Sequence, residues 1–256
     1  MKFASPAAAV VCLLTACTAR TETAMSPQPV KVMLIGDSLS VGPFGRALET
    51  ALQARFGRGG VCVFASCGSS PEDWLPGKPV FVTKCGYRQT TPSGSISREY
   101  QNGKRPPPVR TPKLPQIFDD WRPQLVIVQL GTNWMDHLTA ADRRDGRSYR
   151  RHIRDFVREV RRDADPVIVW VMPPDSSKYP LRVHEAVERW IREESIPSRF
   201  RTIDSRLFTA PYRDGKTGGD GVHYGDAAGR RWARRVMGQI NLLAGSLPLA
   251  PAEGGR

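Results

Sequence analysis

Three short segments of this sequence carry side chains that together could cleave an ester. The first is Gly36-Asp37-Ser38, and the second places a carboxylate three residues before an imidazole in Asp220-Gly221-Val222-His223. A serine hydroxyl is a weak nucleophile until a base removes its proton, and an imidazole is suited to that role near neutral pH. The spacing lets the carboxylate hold the imidazole in one tautomer within one short loop. We therefore predict Ser38 as nucleophile, His223 as base and Asp220 as the group that orients the imidazole.

The third segment, Gly131-Thr132-Asn133, supplies a side-chain amide that could donate a hydrogen bond to a developing oxyanion. Gly68 lies after another apolar run and could offer a backbone N–H at close approach. Each residue also has an ordinary structural explanation when taken singly. A serine after a strand is a common helix N-cap, and asparagine, glycine and an Asp-x-x-His segment are common in turns.

Apolar periodicity predicts the elements that must position these residues. Short apolar runs predict five strands, at residues 30–35, 61–65, 125–130, 167–172 and 200–203. Stripes at helical spacing lie between or after them, at Phe44/Leu48/Leu52, Ile153/Phe156/Val157/Val160, Val183/Val187/Trp190/Ile191 and Trp232/Val236/Ile240/Leu243. Such alternation predicts a parallel sheet covered by helices on both faces, with ligands beyond the carboxyl ends of the strands. Ser38 and Gly131 should therefore lie on one rim.

Together the segments resemble the sequence blocks of the SGNH (GDSL-type) hydrolases, in the family's order. The matching residues are Gly36-Asp37-Ser38, Gly68, Gly131-Thr132-Asn133 and Asp220-x-x-His223. The resemblance implies a flavodoxin-like three-layer α/β/α sandwich with a five-stranded parallel sheet, and no cofactor or metal. It also implies an oxyanion hole formed by the amides of Ser38 and Gly68 and by Asn133. Residues 65–70 depart from the asparagine-glycine pattern often found in the second block, and no Gly-x-Ser-x-Gly motif of ordinary α/β-hydrolases is present.

A long insertion, residues 69–112, interrupts the alternation. It is rich in turn residues and shows no clean helical pattern, which is typical of a functional or disordered segment. We expect a partly ordered cap near the catalytic rim, with a small hairpin through Val80-Phe81-Val82. Its basic residues, and the aromatic residues Trp74, Tyr87 and Tyr100, are suited to contact a sugar chain rather than a long acyl chain.

The N-terminus is predicted to be an export signal. Lys2 precedes an apolar stretch too short to span a bilayer, and Leu14-Thr15-Ala16-Cys17 resembles a bacterial lipobox, in which the cysteine is lipidated. The expected organisation is a lipoprotein signal at 1–16, a tether at 17–29, a hydrolase domain at 30–244 and a disordered tail at 245–256. A plain secretory signal cut elsewhere is the alternative. Either way the protein is expected to be exported, and the lipobox reading places it in the cell envelope, attached to the membrane.

Export to an oxidising compartment allows one disulfide among the remaining cysteines, Cys62, Cys67 and Cys85. Cys62 lies inside a predicted strand, and an extended five-residue step to Cys67 spans about 17 Å. A disulfide requires Cα atoms within about 7 Å. Cys67–Cys85 is therefore the favoured pair, with Cys62 buried and free.

The formal net charge of +13 favours anionic surroundings, but it carries no information on the fold. The sequence has no zinc-finger spacing and no motif that alternates aromatic and basic residues, so nucleic-acid binding is not expected. The arginine-rich run at 150–162 is more typical of a solvated helix face. His137, His152 and His184 are likewise expected to be solvated.

These features predict a serine esterase that removes a small acyl group, with acetyl favoured, from an envelope or extracellular carbohydrate or another small ester. A lipase or thioesterase with a broad acyl pocket is one alternative. A transferase that passes acetyl to a sugar hydroxyl is another, and an anchored binding protein without turnover is a third.

Overall fold

The computed structural model of the protein describes residues 30–100, 104–119, 121–140, 146–209 and 219–245. The predicted signal, the lipidation site at Cys17, the tether and nearly all of the predicted tail lie outside the described residues. Within the described ranges, no helix is long and apolar enough to cross a membrane.

A mixed sheet of seven strands forms the centre of the molecule, in the order β4-β3-β2-β1-β5-β6-β7. Five of them, β2, β1, β5, β6 and β7, are parallel to one another, as the sequence predicts. The strands are β1 Val32–Gly36, β2 Val61–Ser66, β3 Tyr87–Thr91, β4 Gly94–Arg98, β5 Leu125–Gln129, β6 Val167–Val171 and β7 Arg201–Ile203. All residues of β1, β2 and β5 are buried, which explains their nearly continuous apolar sequences.

The expected sheet of five strands is wrong in number, because the insertion adds an antiparallel hairpin, β3–β4, to the edge beside β2. The expected hairpin at residues 80–82 is also wrong. Val82 makes only an isolated bridge to Arg110, and it is 47% exposed. The hairpin is formed instead by residues 87–91 and 94–98. The turn between them ends at Gly94, whose φ of 151° favours glycine.

Helices cover both faces of the sheet, and the three-layer α/β/α architecture is confirmed. They are α1 Ser38–Val41, α2 Pro43–Phe56, α3 Leu114–Asp119, α4 Trp134–Ala140, α5 Arg147–Val160, α6 Leu181–Ser195, α7 Arg206–Thr209 and α8 Asp226–Gly245. Alternate residues of β1 point to opposite layers: Met33 packs in the cluster that contains residues of α3 to α6, and Leu34 packs in the cluster that contains residues of α2 and α8.

Several expectations about side-chain exposure are wrong. His184 lies on α6 and is 1% exposed, because the buried face of this helix is wider than its apolar stripe and also includes Glu188 and Glu194. Trp74 and Tyr87 are buried as well, so of the three aromatic residues considered for sugar contact only Tyr100 is exposed. The indole N–H of Trp74 donates instead to the hydroxyl of Ser69.

Candidate active site

The predicted nucleophile, Ser38, is the first residue of α1, directly after the turn that leaves β1. Asp37 caps this helix, because its Oδ1 accepts a hydrogen bond of 2.9 Å from the N–H of Leu39. Gly36 leaves no room for a side chain: a Cβ there would lie 2.1 Å from Oγ of Ser40. The Gly-Asp-Ser sequence thus produces a tight strand-to-helix turn with the serine at its tip.

The structure brings Ser38, His223 and Asp220 together in one hydrogen-bonded chain. Oγ of Ser38 lies 2.9 Å from Nε2 of His223, and Nδ1 of His223 lies 2.5 Å from Oδ2 of Asp220. When Nδ1–H donates to the carboxylate, Nε2 is left as the acceptor for the serine proton. The arrangement can therefore activate the hydroxyl of Ser38.

The Asp220 carboxylate is fixed from two sides. Its second oxygen, Oδ1, accepts hydrogen bonds of 2.9 Å from the backbone N–H groups of Val222 and His223. Partial burial alone would raise the pKa of Asp220, but these bonds and the nearby imidazole hold the pKa below its usual range. Asp220 is therefore ionised at neutral pH and can stabilise an imidazolium on His223.

A second loop supports the Asp220–His223 segment, and sequence reasoning missed it. The carbonyl of Gly221 accepts bonds from the hydroxyl of Ser176 at 2.6 Å and from the N–H groups of Ser177 and Lys178 at 3.0 and 3.4 Å. Gly221 has a φ of 74°, and a Cβ there would lie 2.6 Å from Oγ of Ser177. The only sequence signal for this loop is a pair of serines after β6, which is too common to indicate a role.

The supporting loop is also tied to the segment that carries Asn133. Asp136, in the first turn of α4, accepts hydrogen bonds from Nζ of Lys178 at 2.8 Å and from the hydroxyl of Tyr179 at 2.9 Å. The same loop therefore contacts both the Asp220–His223 segment and the helix that follows Asn133.

Asn133 and Gly68, the predicted oxyanion-hole residues, follow β5 and β2, the two strands that flank β1. The side-chain amide of Asn133 donates a hydrogen bond of 2.8 Å to the carbonyl of Ser69, which fixes its orientation. Its second N–H has no acceptor among the described residues. Gly68 has a φ of 87°, a conformation that favours glycine. The side chain of Lys84 packs over it, and a Cβ at this position would lie 2.8 Å from Cδ of Lys84.

A disulfide joins Cys67, beside Gly68, to Cys85 in the insertion, with 5.4 Å between the Cα atoms. Two backbone bonds flank it: the N–H of Cys67 donates to the carbonyl of Gly86, and the N–H of Lys84 donates to the carbonyl of Cys67. Cys62 is a free, buried thiol, and burial raises its pKa to about 12, so it stays protonated at neutral pH.

A buried polar network lies beneath the nucleophile. The hydroxyl of Ser40 donates to Oε1 of Gln129 at 2.8 Å, and the backbone N–H of Asp37 donates to the carbonyl of Gln129. Complete burial raises the pKa of Asp37 to about 6, against the opposing effects of the Leu39 N–H and the hydroxyl of Thr132. Asp37 therefore carries a buried negative charge above that pH, close to His223.

Other chemistry-bearing residues lie outside this constellation. His137 is exposed on α4, as expected. The expectation that His152 is solvated is wrong, because its side chain is only 21% exposed and its Nδ1 lies 3.4 Å from a carboxylate oxygen of Glu72. In the parts of the chain that the structure describes, no group of three His, Cys, Asp or Glu side chains is arranged to hold a metal ion.

No protein-family model and no curated protein matches the sequence. The fold, however, is similar to solved structures. A structure described as a peptidoglycan O-acetylesterase in action has a TM-score of 0.51 and 15% identity, over 85% of this chain and 92% of that chain. TesA has a TM-score of 0.55 and 16% identity, over 83% and 99%. Est24, a carbohydrate acetylesterase from Sinorhizobium meliloti, has a TM-score of 0.54 and 15% identity, over 84% and 99%.

At these identities the similarities establish the fold alone. They cover nearly the full length of each neighbour, so the shared architecture is that of the whole domain. This architecture matches the SGNH hydrolase fold.

Proposed function

We propose that this protein is a serine esterase that removes a small acyl group, acetyl above all, from an O-acylated carbohydrate. The observation that carries the proposal is the continuous chain of hydrogen bonds from Ser38 through His223 to Asp220. These residues come from opposite ends of the domain sequence and meet at the rim of a parallel sheet, where α/β proteins bind ligands.

In the proposed reaction, Nε2 of His223 takes the proton of Ser38 while Oγ attacks the carbonyl carbon of the ester. The tetrahedral intermediate collapses when the imidazolium returns that proton to the alcohol oxygen, which leaves and gives an acyl-enzyme. Water then attacks the acyl group by the same sequence, with His223 accepting a proton from water and returning it to Oγ. The products are the free carboxylic acid and the regenerated hydroxyl.

The oxyanion formed in each step needs donors already in place. We assign this role to the N–H groups of Ser38 and Gly68 and to the amide of Asn133. The support is the fixed orientation of the Asn133 side chain and the left-handed turn at Gly68, both next to the end of β1.

Two features support a small acyl group on a carbohydrate. The exposed residues of the insertion include many cationic side chains: Arg98, Lys104, Arg105 and Arg110. A long acyl chain would need a broad apolar face, since each buried methylene contributes about 0.8 kcal/mol. The exposed aliphatic residues of the insertion, Val80, Val82 and Ile96, are instead interspersed with cationic residues, as at the Val82–Arg110 bridge. Two structural neighbours are described as acetylesterases, one of peptidoglycan and one of carbohydrate.

We further propose that lipid attachment at Cys17 holds the enzyme at the cell envelope beside such a substrate.

The test combines active-site labelling with substrate specificity. A fluorophosphonate should label wild type and Ser93→Ala, a change at an exposed hairpin serine, but not Ser38→Ala. Hydrolysis of nitrophenyl esters should be fastest for acetyl and should decline through butyryl, octanoyl and palmitoyl. Labelling at another serine would refute the mechanism. A rate that rises with chain length would favour a lipase, and acetate found on sugar rather than in solution would favour a transferase.

A further inference from the structure

The outward face of α8 carries an unusual concentration of positive charge. We call this surface the α8 arginine face, and it consists of the four exposed arginines Arg230, Arg231, Arg234 and Arg235. The only acidic residue of the helix is Asp226, at its first position, where it pairs with Arg46. The opposite face buries Trp232, Val236 and Ile240 in the cluster that also contains residues of α2 and of the sheet.

A second arginine-rich helix, α5, differs from α8 because carboxylates neutralise several of its arginines. Three of its arginines form ion pairs with described carboxylates at 2.6 to 2.7 Å: Arg150 with Glu193, Arg154 with Glu194 and Arg158 with Asp155. The α8 arginines form no ion pair with any carboxylate in the described parts of the chain. Since Arg230 and Arg234, and Arg231 and Arg235, are four residues apart on one helix, their mutual repulsion is destabilising in the isolated protein.

The shape and the apolar content of the α8 arginine face indicate which class of anionic partner neutralises its charge. It is one side of a single exposed helix and therefore a convex surface rather than a groove. The helix carries no aromatic residue on this face, whereas single-stranded nucleic acids and sugar chains are typically bound on aromatic platforms. Leu242 lies on the same side of the helix and is 71% exposed. Arginines together with an exposed leucine suit the boundary between phosphate headgroups and acyl chains.

We propose that the α8 arginine face docks on an anionic phospholipid bilayer. Guanidinium groups bind phosphate oxygens through paired N–H donors, and the four arginines place such groups within two helical turns. Leu242 then enters the headgroup region. This proposal rests on α8 alone and does not depend on the catalytic assignment.

Docking through α8 orients the candidate active site. The helix begins three residues after His223, so its N-terminal end lies beside the rim that carries Ser38. With α8 lying in the plane of the membrane, the rim opens sideways along the surface instead of into the lipid. A site oriented in this way reaches polymers in the layer next to the membrane.

The test measures partitioning onto vesicles of phosphatidylcholine with and without phosphatidylglycerol, using the full chain with Cys17→Ser so that no lipid is attached. One variant replaces all four α8 arginines with glutamine. The matched control replaces Arg150, Arg151, Arg154 and Arg158 of α5 with glutamine, which removes the same charge. Circular dichroism checks that both variants fold.

The Cys17→Ser chain should bind the anionic vesicles, and binding should weaken as salt rises. The α8 variant should bind about 100-fold more weakly, while the α5 variant should lose much less. Leu242→Gln should also weaken binding, with little change in its salt dependence. Equal binding to both vesicle types, or equal losses in the two arginine variants, would overturn the proposal. Tighter binding to soluble polygalacturonate or duplex DNA, lost in the α8 variant, would overturn it in favour of that polyanion.

Discussion

The hydroxyl of Ser176 donates a hydrogen bond of 2.6 Å to the carbonyl oxygen of Gly221, the residue that follows Asp220. Ser176 is 7% exposed and touches no atom of the proposed reaction. It holds the peptide between the carboxylate and the imidazole, so it acts as a positioning residue through the loop.

Ser176→Ala should lower kcat about tenfold and leave KM nearly unchanged, because a displaced loop misaligns His223 without altering substrate contacts. Ser176→Thr keeps the hydroxyl and should restore most of the rate. The matched control is Ser177→Ala, next in sequence, because Ser177 supports Gly221 through its backbone N–H. Steady-state kinetics with an acetyl ester gives the comparison. Equal losses in both alanine variants would contradict a specific role for the Ser176 hydroxyl.

The amide of Asn133 should matter in the transition state and little in substrate binding. Asn133→Ala is expected to reduce kcat by about 10²–10³-fold with a small change in KM, because one donor to the oxyanion is lost. Asn133→Asp keeps the shape but cannot donate, so it should be at least as slow. A near-normal rate in Asn133→Asp would show that the amide does not contact the oxyanion.

The parallel sheet and the meeting of Ser38 with His223 could be predicted because their signals are local. Each parallel strand is a short apolar run, and the carboxyl ends of parallel strands meet at one rim whatever the details of the loops. The Asp220–His223 contact needs only a three-residue loop. These features do not depend on knowing which distant residues pack together.

The features that sequence reasoning missed depend on non-local contacts. Residues 87–91 form a strand because β2 offers an unpaired side, and Arg88 on that strand pairs with the buried carboxylate of Glu49. Trp74 looked available for ligand contact, but its indole N–H donates to Ser69 inside the core. Neither contact leaves a pattern in the residues next to it in sequence.

Loss of the Cys67–Cys85 disulfide should reduce both stability and turnover. The double variant Cys67→Ser/Cys85→Ser is expected to lose about 2–4 kcal/mol in the free energy of unfolding. The two cysteines are 18 residues apart, and without the disulfide the loop between them is free in the unfolded chain, which raises the entropy of that state. Its kcat should fall as well, since Cys67 holds Gly68 against Lys84. Dithiothreitol should reproduce both effects in wild type and in Cys62→Ala, which keeps the disulfide. Full activity after complete reduction would show that the disulfide is not needed to position Gly68 in the oxyanion hole.

The last prediction concerns Asp37, whose pKa is raised by burial from its ordinary value of 3.8 to about 6. A carboxyl with a raised pKa binds more protons when folded than when unfolded between these two values, so its contribution to stability falls as pH rises from about 4 to about 6. Asp37→Asn cannot ionise and keeps an oxygen that can accept the bond from the Leu39 N–H. The free energy of unfolding of the variant, relative to that of wild type, should therefore rise by about 2–3 kcal/mol between pH 4 and pH 7.

Urea denaturation of both proteins across that range measures the gain. Asp119→Asn, at a carboxylate whose side chain is 67% exposed, serves as the control and should track wild type at every pH. The comparison between the two variants isolates burial, since each removes one negative charge. A constant difference between Asp37→Asn and wild type from pH 4 to pH 7 would mean that Asp37 titrates alike in the folded and unfolded chains, so that no net ionisation penalty lies beneath the nucleophile.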